Sequence, residues 1–183
     1  MSRVPQVRRA DKLMAEERAR ETLARGFCGR LATVGEDGWP YCVPLLYVCL
    51  DDEVWVHNTR AAGHLRANVD REARVCFEVD QAGEVFAYGR FECDSTVEYR
   101  SVIAFGRIRV VEDLAAKRRF CDALMAKYAK KDWERPKGVY PRIEQITVYA
   151  IAIERLSGKE TPLPTPADRW PASDHTKTPN ARP

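Results

Sequence analysis

Long apolar runs are missing from this 183-residue chain: none approaches the roughly 18 residues that a membrane span needs. The basic start Met1-Ser2-Arg3-Val4-Pro5-Gln6-Val7-Arg8-Arg9 lacks the apolar stretch of a secretory signal. A cytoplasmic protein with no membrane partner is therefore expected. An excess of one charge is missing too, since 30 Lys+Arg stand against 27 Asp+Glu. Nucleic-acid binders carry a marked basic excess on one face, so no nucleic-acid partner is expected. No Cys-x-x-Cys occurs, which removes zinc-finger spacing and leaves no metal site to name. No Gly-x-Gly-x-x-Gly occurs, so a nicotinamide donor would bind without the dinucleotide fingerprint. No internal repeat is visible.

What is there has an ordinary globular balance. Apolar types make up 45% and charged types 31%, which argues against a disordered chain, and the length suits one domain. Of six cysteines, Cys28, Cys42, Cys49 and Cys76 sit inside apolar runs, where a free thiol behaves as a small hydrophobe. The cysteines read as reduced core thiols, as in a cytosolic chain.

Residues 1–10 read as a solvated arm. Asp11 is placed to cap a helix running to Arg25, with Gly26 available to end it. Its thin apolar face (Leu13, Met14, Leu23) suits covering a larger body. Runs 27–34 and 39–50 flank Gly35-Glu36-Asp37-Gly38, a hairpin signal. Asp51-Asp52 then turns the chain into a third strand, Val54-Trp55-Val56-His57. Polar residues around Gly63 break the pattern before a short helix over 64–68. Strands are expected at 74–79, 99–111 and 145–156, the last with Ile146, Val148, Ala150, Ala152 and Leu156 on one face. Residues 80–95 do not alternate cleanly. Asp113 opens a helix from 114 to about 131, in which Phe120, Cys121, Leu124, Met125 and Tyr128 recur at helical spacing. Trp39, Trp55 and Trp133 read as packing residues, and Lys127, Lys130 and Lys131 as a solvated helix face. From Ser157 onward the chain holds six of its eleven prolines and cannot supply sheet hydrogen bonds at those positions. The expected organisation is a domain over 1–160 and a Pro-rich strap over 161–183, anchored by Trp170. Many short strands separated by tight turns favour a small barrel.

Several stretches occur in a recognisable order: Gly29-Arg30-Leu31-Ala32-Thr33-Val34, Asp37-Gly38, Pro40-Tyr41-Cys42-Val43-Pro44-Leu45, Val54-Trp55-Val56-His57-Asn58-Thr59, and Gly63-His64-Leu65-Arg66-Ala67-Asn68. Arg74-Val75-Cys76-Phe77-Glu78-Val79, Tyr99-Arg100-Ser101-Val102-Ile103 with Phe105-Gly106, and Ile153-Glu154-Arg155-Leu156-Ser157-Gly158-Lys159-Glu160 follow. Together they resemble the FMN-binding split-barrel superfamily related to pyridoxamine 5′-phosphate oxidase, and more narrowly its nitroimidazole-resistance reductase branch. The resemblance implies a mainly β protein, a six-stranded FMN-binding split β-barrel with peripheral helices. It also implies a homodimer with flavin sites at the subunit interface and FMN as cofactor. The flavin ring would lie beside the strand carrying Pro44, Leu45 and Leu46, with the phosphate near the loop after His57. The branch is associated with reduction of nitro groups to amines. Many relatives have His-x-x-x-x-Gly-(His/Arg)-Lys here, the lysine helping to hold the phosphate. In this chain His57 is six residues before Gly63 and Leu65 follows His64, so the cationic contact is either lost or moved, with Arg66 as its candidate replacement.

Each candidate has a plainer alternative. His57 is either a proton-handling, catalytic histidine of the cofactor site or a strand-end histidine bonded to backbone. His64 and Arg66 begin a short helix, where free N–H groups favour an anion; otherwise they are two solvated charges. Asn58 and Thr59 offer donors to the same anion or serve as turn residues. Arg100 and Ser101 are neighbours on a strand, so only one of them faces the cofactor. The leading expectation is an FMN-dependent oxidoreductase acting on a small electrophilic molecule, nitroaromatic in the narrow reading, with a transient nicotinamide donor. The alternatives are a non-catalytic flavin- or haem-binding dimeric module, in which a histidine serves as axial ligand, and an empty barrel scaffold.

Overall fold

The computed structural model describes residues 7–89 and 91–165. Seven strands, β1 (Gly29–Val34), β2 (Pro40–Leu45), β3 (Tyr47–Leu50), β4 (Glu53–Thr59), β5 (Arg74–Ala87), β6 (Ser95–Val111) and β7 (Ile146–Thr161), form one sheet in the order β2-β1-β5-β6-β7-β4-β3. Every neighbouring pair is antiparallel. The helices are α1 (Glu16–Arg25), α2 (His64–Arg71) and α3 (Leu114–Tyr128). The fold is mainly β, as expected, but with seven strands in place of six and a sheet that does not close. The extra strand arises because the apolar run 39–50 is divided at Leu46, β2 pairing with β1 and β3 with β4. The two edges of the sheet are thus consecutive in sequence, joined by one residue. Among the described residues no helix is long and apolar enough to cross a membrane.

Local chemistry accounts for most element ends. The β1–β2 turn closes through the Gly35 N–H donating to the Trp39 carbonyl at 2.8 Å, with Gly38 at φ 83°, where a side chain would be strained. Asp51 and Asp52, at φ 52° and 61°, make the two-residue β3–β4 turn, a geometry that Asp tolerates. The Asp113 side chain accepts from the Ala116 N–H at 2.7 Å and caps α3. Asp11 does not cap α1. The Met14 N–H donates to the Gly158 carbonyl at 3.0 Å and Leu13 bridges Lys159. The chain is therefore held on the end of β7 until Glu16, and Asp11 takes the Arg9 guanidinium instead.

The open stretch 80–95 is a hairpin arm. β5 and β6 continue their pairing to Ala87 and Ser95 with an irregularity between Ala82 and Val85, and β5 is largely exposed beyond Val79. Alternation is a signature of one buried face, so an arm wet on both faces cannot show it. At the far end β7 runs to Thr161, beyond the expected strand end at 156 and one residue into the expected strap; Trp170 lies outside the described residues.

Two apolar clusters share the middle of the sheet. Inside the curl, Leu31, Tyr47, Val54, Val56, Phe77, Val79, Val102, Tyr149 and Ile151 pack together, with Leu65 and Val69 of α2 and Ala19 and Leu23 of α1 against them. On the opposite faces of β3, β4 and β7, Val48, Trp55, Val148 and Ala150 lie under Phe120, Cys121 and Leu124 of α3. Leu156 packs with the first cluster and not with Val148 and Ala150. The cause is a bulge: Phe105 faces Arg155 while Gly106 faces Ile153, leaving Glu154 unmatched and reversing the faces beyond it. Gly106 suits the site, since a side chain there would collide with the Ala152 carbonyl.

Several packing expectations need correction. Trp55 is buried, but Trp39 and Trp133 are exposed. Lys127 is not solvated: its Nζ is buried 3.8 Å from the centroid of the Tyr47 ring, and burial lowers its pKa. All six cysteines are free, yet only Cys121 is buried and Cys42 and Cys93 are exposed.

Candidate functional site

A cleft of about 530 Å³ opens where the segment after β4, the end of β6, the start of β7 and the first turns of α2 and α3 meet. Its lining is unusually charged: Arg60, Arg66 and Lys117 share it with Glu112 and Glu144, beside Val110, Leu114, Ile146 and Thr147. The Arg60 N–H donates to the Gln145 carbonyl at 2.9 Å and its Nη1 donates to the Glu144 carbonyl at 3.4 Å, fixing the loop across the mouth. Arg66 donates its Nε to both carboxylate oxygens of Asp70 at 2.9 Å, one turn along α2, and this bond raises its pKa. Among the described residues, the Lys117 ammonium and the Glu112 and Glu144 carboxylates make no hydrogen bond or ion pair. A lysine without an acceptor beside two arginines, around an open volume, suits an anion such as a phosphate.

The residues singled out from sequence do not all meet here. Arg66 lines the cleft, and Asn58 and Thr59 lie at its edge, their Cα atoms opposite Thr147 and Ile146. The Asn58 Oδ1 is already occupied, accepting from the Tyr149 hydroxyl at 3.2 Å. His64 is turned away, its ring stacked on Tyr41 at 5.3 Å. Two positions along a helix point to nearly opposite sides, so His64 and Arg66 cannot converge on one anion. His57 does not line the cleft either. Its ring faces α3, 5.4 Å from the Phe120 ring, with a buried Nδ1 that has no partner. Burial lowers its pKa, so the ring is neutral at neutral pH. His57 thus lies beneath α3 and outside the lining of the cleft.

Pro44 and Ser101 share another surface. Pro44, Arg30, Glu78 and Ile103 stand opposite one another across β2, β1, β5 and β6, on the side of the sheet away from the interior cluster, and Ser101 follows Ile103 on that face. Arg30 reaches Glu78 at 3.4 Å and also pairs with Asp80. Leu45 packs inward and Leu46 forms the corner. Arg100 lies on the other face and meets Glu160 at 3.5 Å, beside Arg18. The choice between the two strand neighbours thus falls to Ser101 for the outer face.

Arg60, Lys117, Glu112 and Glu144 were missed from sequence. Arg60 had a signal, a basic residue inside the loop already marked for an anion. Lys117 had none, because the first turn of α3 reaches the loop only through the tertiary fold.

The profile of the pyridoxamine 5′-phosphate oxidase family matches residues 15–160, and this chain belongs to that family. Among solved structures, an FAD- and haem-binding protein from Mycobacterium smegmatis is 26% identical. The match covers 86% of this chain and 78% of that one, with a TM-score of 0.70. A flavocytochrome from Azotobacter vinelandii is 21% identical over 89% of this chain and 77% of its own, TM-score 0.73. A candidate 5-nitroimidazole antibiotic resistance protein from Bacteroides thetaiotaomicron is 19% identical over 80% and 85%, TM-score 0.66. The last two likenesses are likenesses of fold. No curated protein matches the sequence.

Proposed function

We propose that this chain is a flavin-binding oxidoreductase that seats the flavin's phosphate group in the cleft on Arg60, Arg66 and Lys117. FMN is the smallest flavin carrying that group. The observation that carries the reading is the donor set itself: two arginines and a lysine around one open volume, in a member of a family whose neighbours include flavin proteins. A bound flavin supplies two-electron transfer, and the chain binds, orients and shields it. The substrate proposed is a small electrophile, a nitroaromatic in the narrow form. Each round would need two electrons from a donor such as a reduced nicotinamide and two protons. The working unit proposed is a cytoplasmic homodimer. The uncovered outer face of β1, β2, β5 and β6, with Cys42, Pro44 and Phe105 exposed, is the surface that a second copy would cover isologously. The haem alternative rests on the neighbours alone.

The visible absorption spectrum of the chain purified without added cofactor is the first test, and a colourless protein that takes up no flavin refutes the reading. Arg60→Ala is then expected to weaken FMN about tenfold or more while changing riboflavin, which has no phosphate, much less. Equal losses for both would move the phosphate elsewhere.

A further inference from the structure

The chain's excess of positive charge is gathered in one place. Loop 129–142, between α3 and the buried Ile143, holds Lys130, Lys131, Arg135, Lys137 and Arg142 against Asp132 and Glu134. Those are five of the chain's 30 basic residues and two of its 27 acidic ones, which leaves 25 of each elsewhere. The loop thus carries the whole net charge of +3. On the sheet and helices arginines are spent on carboxylates, as Arg18 on Glu160, Arg107 on Glu154 and Arg109 on Glu53. Among the described residues the five loop cations make no ion pair.

Apolar side chains stand exposed beside them. Every residue from Ala129 to Val139 is exposed, Trp133 included. Phe27 joins at the root of the loop, 75% exposed and edge-on at 5.6 Å to Tyr128, the last residue of α3. The loop is nonetheless held. The Tyr140 hydroxyl donates to the Asp122 carboxylate of α3 at 2.7 Å, next to the exposed Met125 one turn along the helix. The Arg135 guanidinium lies over the Trp133 ring, 5.5 Å from its centroid, and Gly138 turns the chain at φ 71°. A loop of this length without secondary structure is uncommon in a compact domain unless it has a function.

We infer that loop 129–142 docks the chain on an anionic lipid bilayer, with its lysines and arginines on the headgroups and Trp133, Val139 and Phe27 in the interfacial layer. Indoles settle at that depth, and a lysine keeps its stem in the apolar boundary and its ammonium in water. Each cation held near such a surface is worth about fivefold in affinity. A segment exposed along its whole length offers no groove to track a nucleic-acid backbone, and Val139 and Met125 have no ring to stack on a base. A fluid bilayer moulds to a tip of this kind. The expectation of no membrane partner rests on the absence of a span and an apolar leader; a contact on the bilayer surface needs neither. Nothing in this contact depends on a bound flavin.

The experiment spins down the full chain with vesicles of phosphatidylcholine alone or of about three parts phosphatidylcholine to one part phosphatidylserine. Pelleting is expected with the anionic vesicles only, at about 0.1 M salt and not at about 1 M. Joint replacement Lys130→Gln, Lys131→Gln and Lys137→Gln is expected to weaken it about a hundredfold, with the melting temperature unchanged because these side chains are exposed and unpaired. Trp133→Ala is expected to weaken it about fivefold. Equal binding to neutral vesicles, no binding to either, or binding that the triple variant keeps overturns the inference. So does a chain that ignores vesicles and holds a labelled single-stranded oligonucleotide through the same lysines, which gives the loop to nucleic acid.

Discussion

Inside the curl of the sheet, the polar groups of Tyr47, Asn68 and Tyr149 have partners. The Tyr47 hydroxyl donates to the Leu23 carbonyl, Asn68 donates to the Thr33 hydroxyl at 2.9 Å, and Tyr149 donates to Asn58. Beneath α3, on the other faces of the same strands, the Trp55 indole N–H and His57 Nδ1 are buried with none. The difference follows from what covers each side. The interior is closed by strand and helix ends and by Asn and Thr side chains, all of which offer acceptors and donors. α3 presents Phe120, Cys121 and Leu124, and its own carbonyls are spent on its helix. A buried polar group without a partner costs about 1–3 kcal/mol, so the seam under α3 is the weaker of the two.

Core truncation tests this difference at its largest scale. Phe77 is fully buried on a central strand, with its ring edge-on to Tyr47 at 5.0 Å. Phe77→Ala is expected to cost about 3–5 kcal/mol in urea unfolding, and Phe120→Ala less, because α3 can settle into the space. Equal losses would erase the distinction.

Next in size come the polar groups themselves. Asn68→Ala is expected to cost about 1–3 kcal/mol by stripping Thr33 of its donor. His57→Phe is expected to leave stability unchanged or raise it by up to about 1 kcal/mol, since it removes an unpaired nitrogen while keeping the volume. Burial holds the folded His57 below its ordinary pKa of 6.5. Its neutral form is thus favoured in the folded state, and wild-type stability is complete above about pH 6.5 and falls as pH drops through the folded-state value. Melts at about pH 8 and about pH 5 should therefore show His57→Phe gaining on wild type in acid. A variant that loses stability at both pH values would show that His57 has a partner after all.

The smallest effect belongs to the surface. Arg109 meets Glu53 at 2.5 and 2.8 Å across β6, β7 and β4, but its side chain is half exposed. Arg109→Gln is expected to cost at most about 1 kcal/mol, and less in high salt. A larger loss would mean that the sheet face under α3 depends on that pair.

The parts legible from sequence were those with a local cause. The β1–β2 turn is written in Gly35 and Gly38, the start of α3 in Asp113, and its buried stripe in Phe120, Cys121 and Leu124. The division at Leu46 was not legible, because nothing in the run 39–50 interrupts its apolar character and only the choice of partners separates the strands. The reversal of faces beyond Glu154 is decided by Gly106 on a neighbouring strand, far away in sequence. The site behaved in the same way. Arg66 could be found from its helix and loop, whereas Lys117, Glu112 and Glu144 come from three separate segments that carry no common pattern.

The place of β4 in the sheet bears on how the chain is made. β4 pairs with β3 on one side and with β7 on the other, and Asn58 meets Tyr149, 91 residues further on. During synthesis the β3–β4 hairpin therefore leaves the ribosome long before its second neighbour exists, with one edge open and His57 and Trp55 uncovered. Contacts so distant in sequence slow folding, and an exposed strand edge invites association with other chains. The last strand to be translated is the one that removes both hazards.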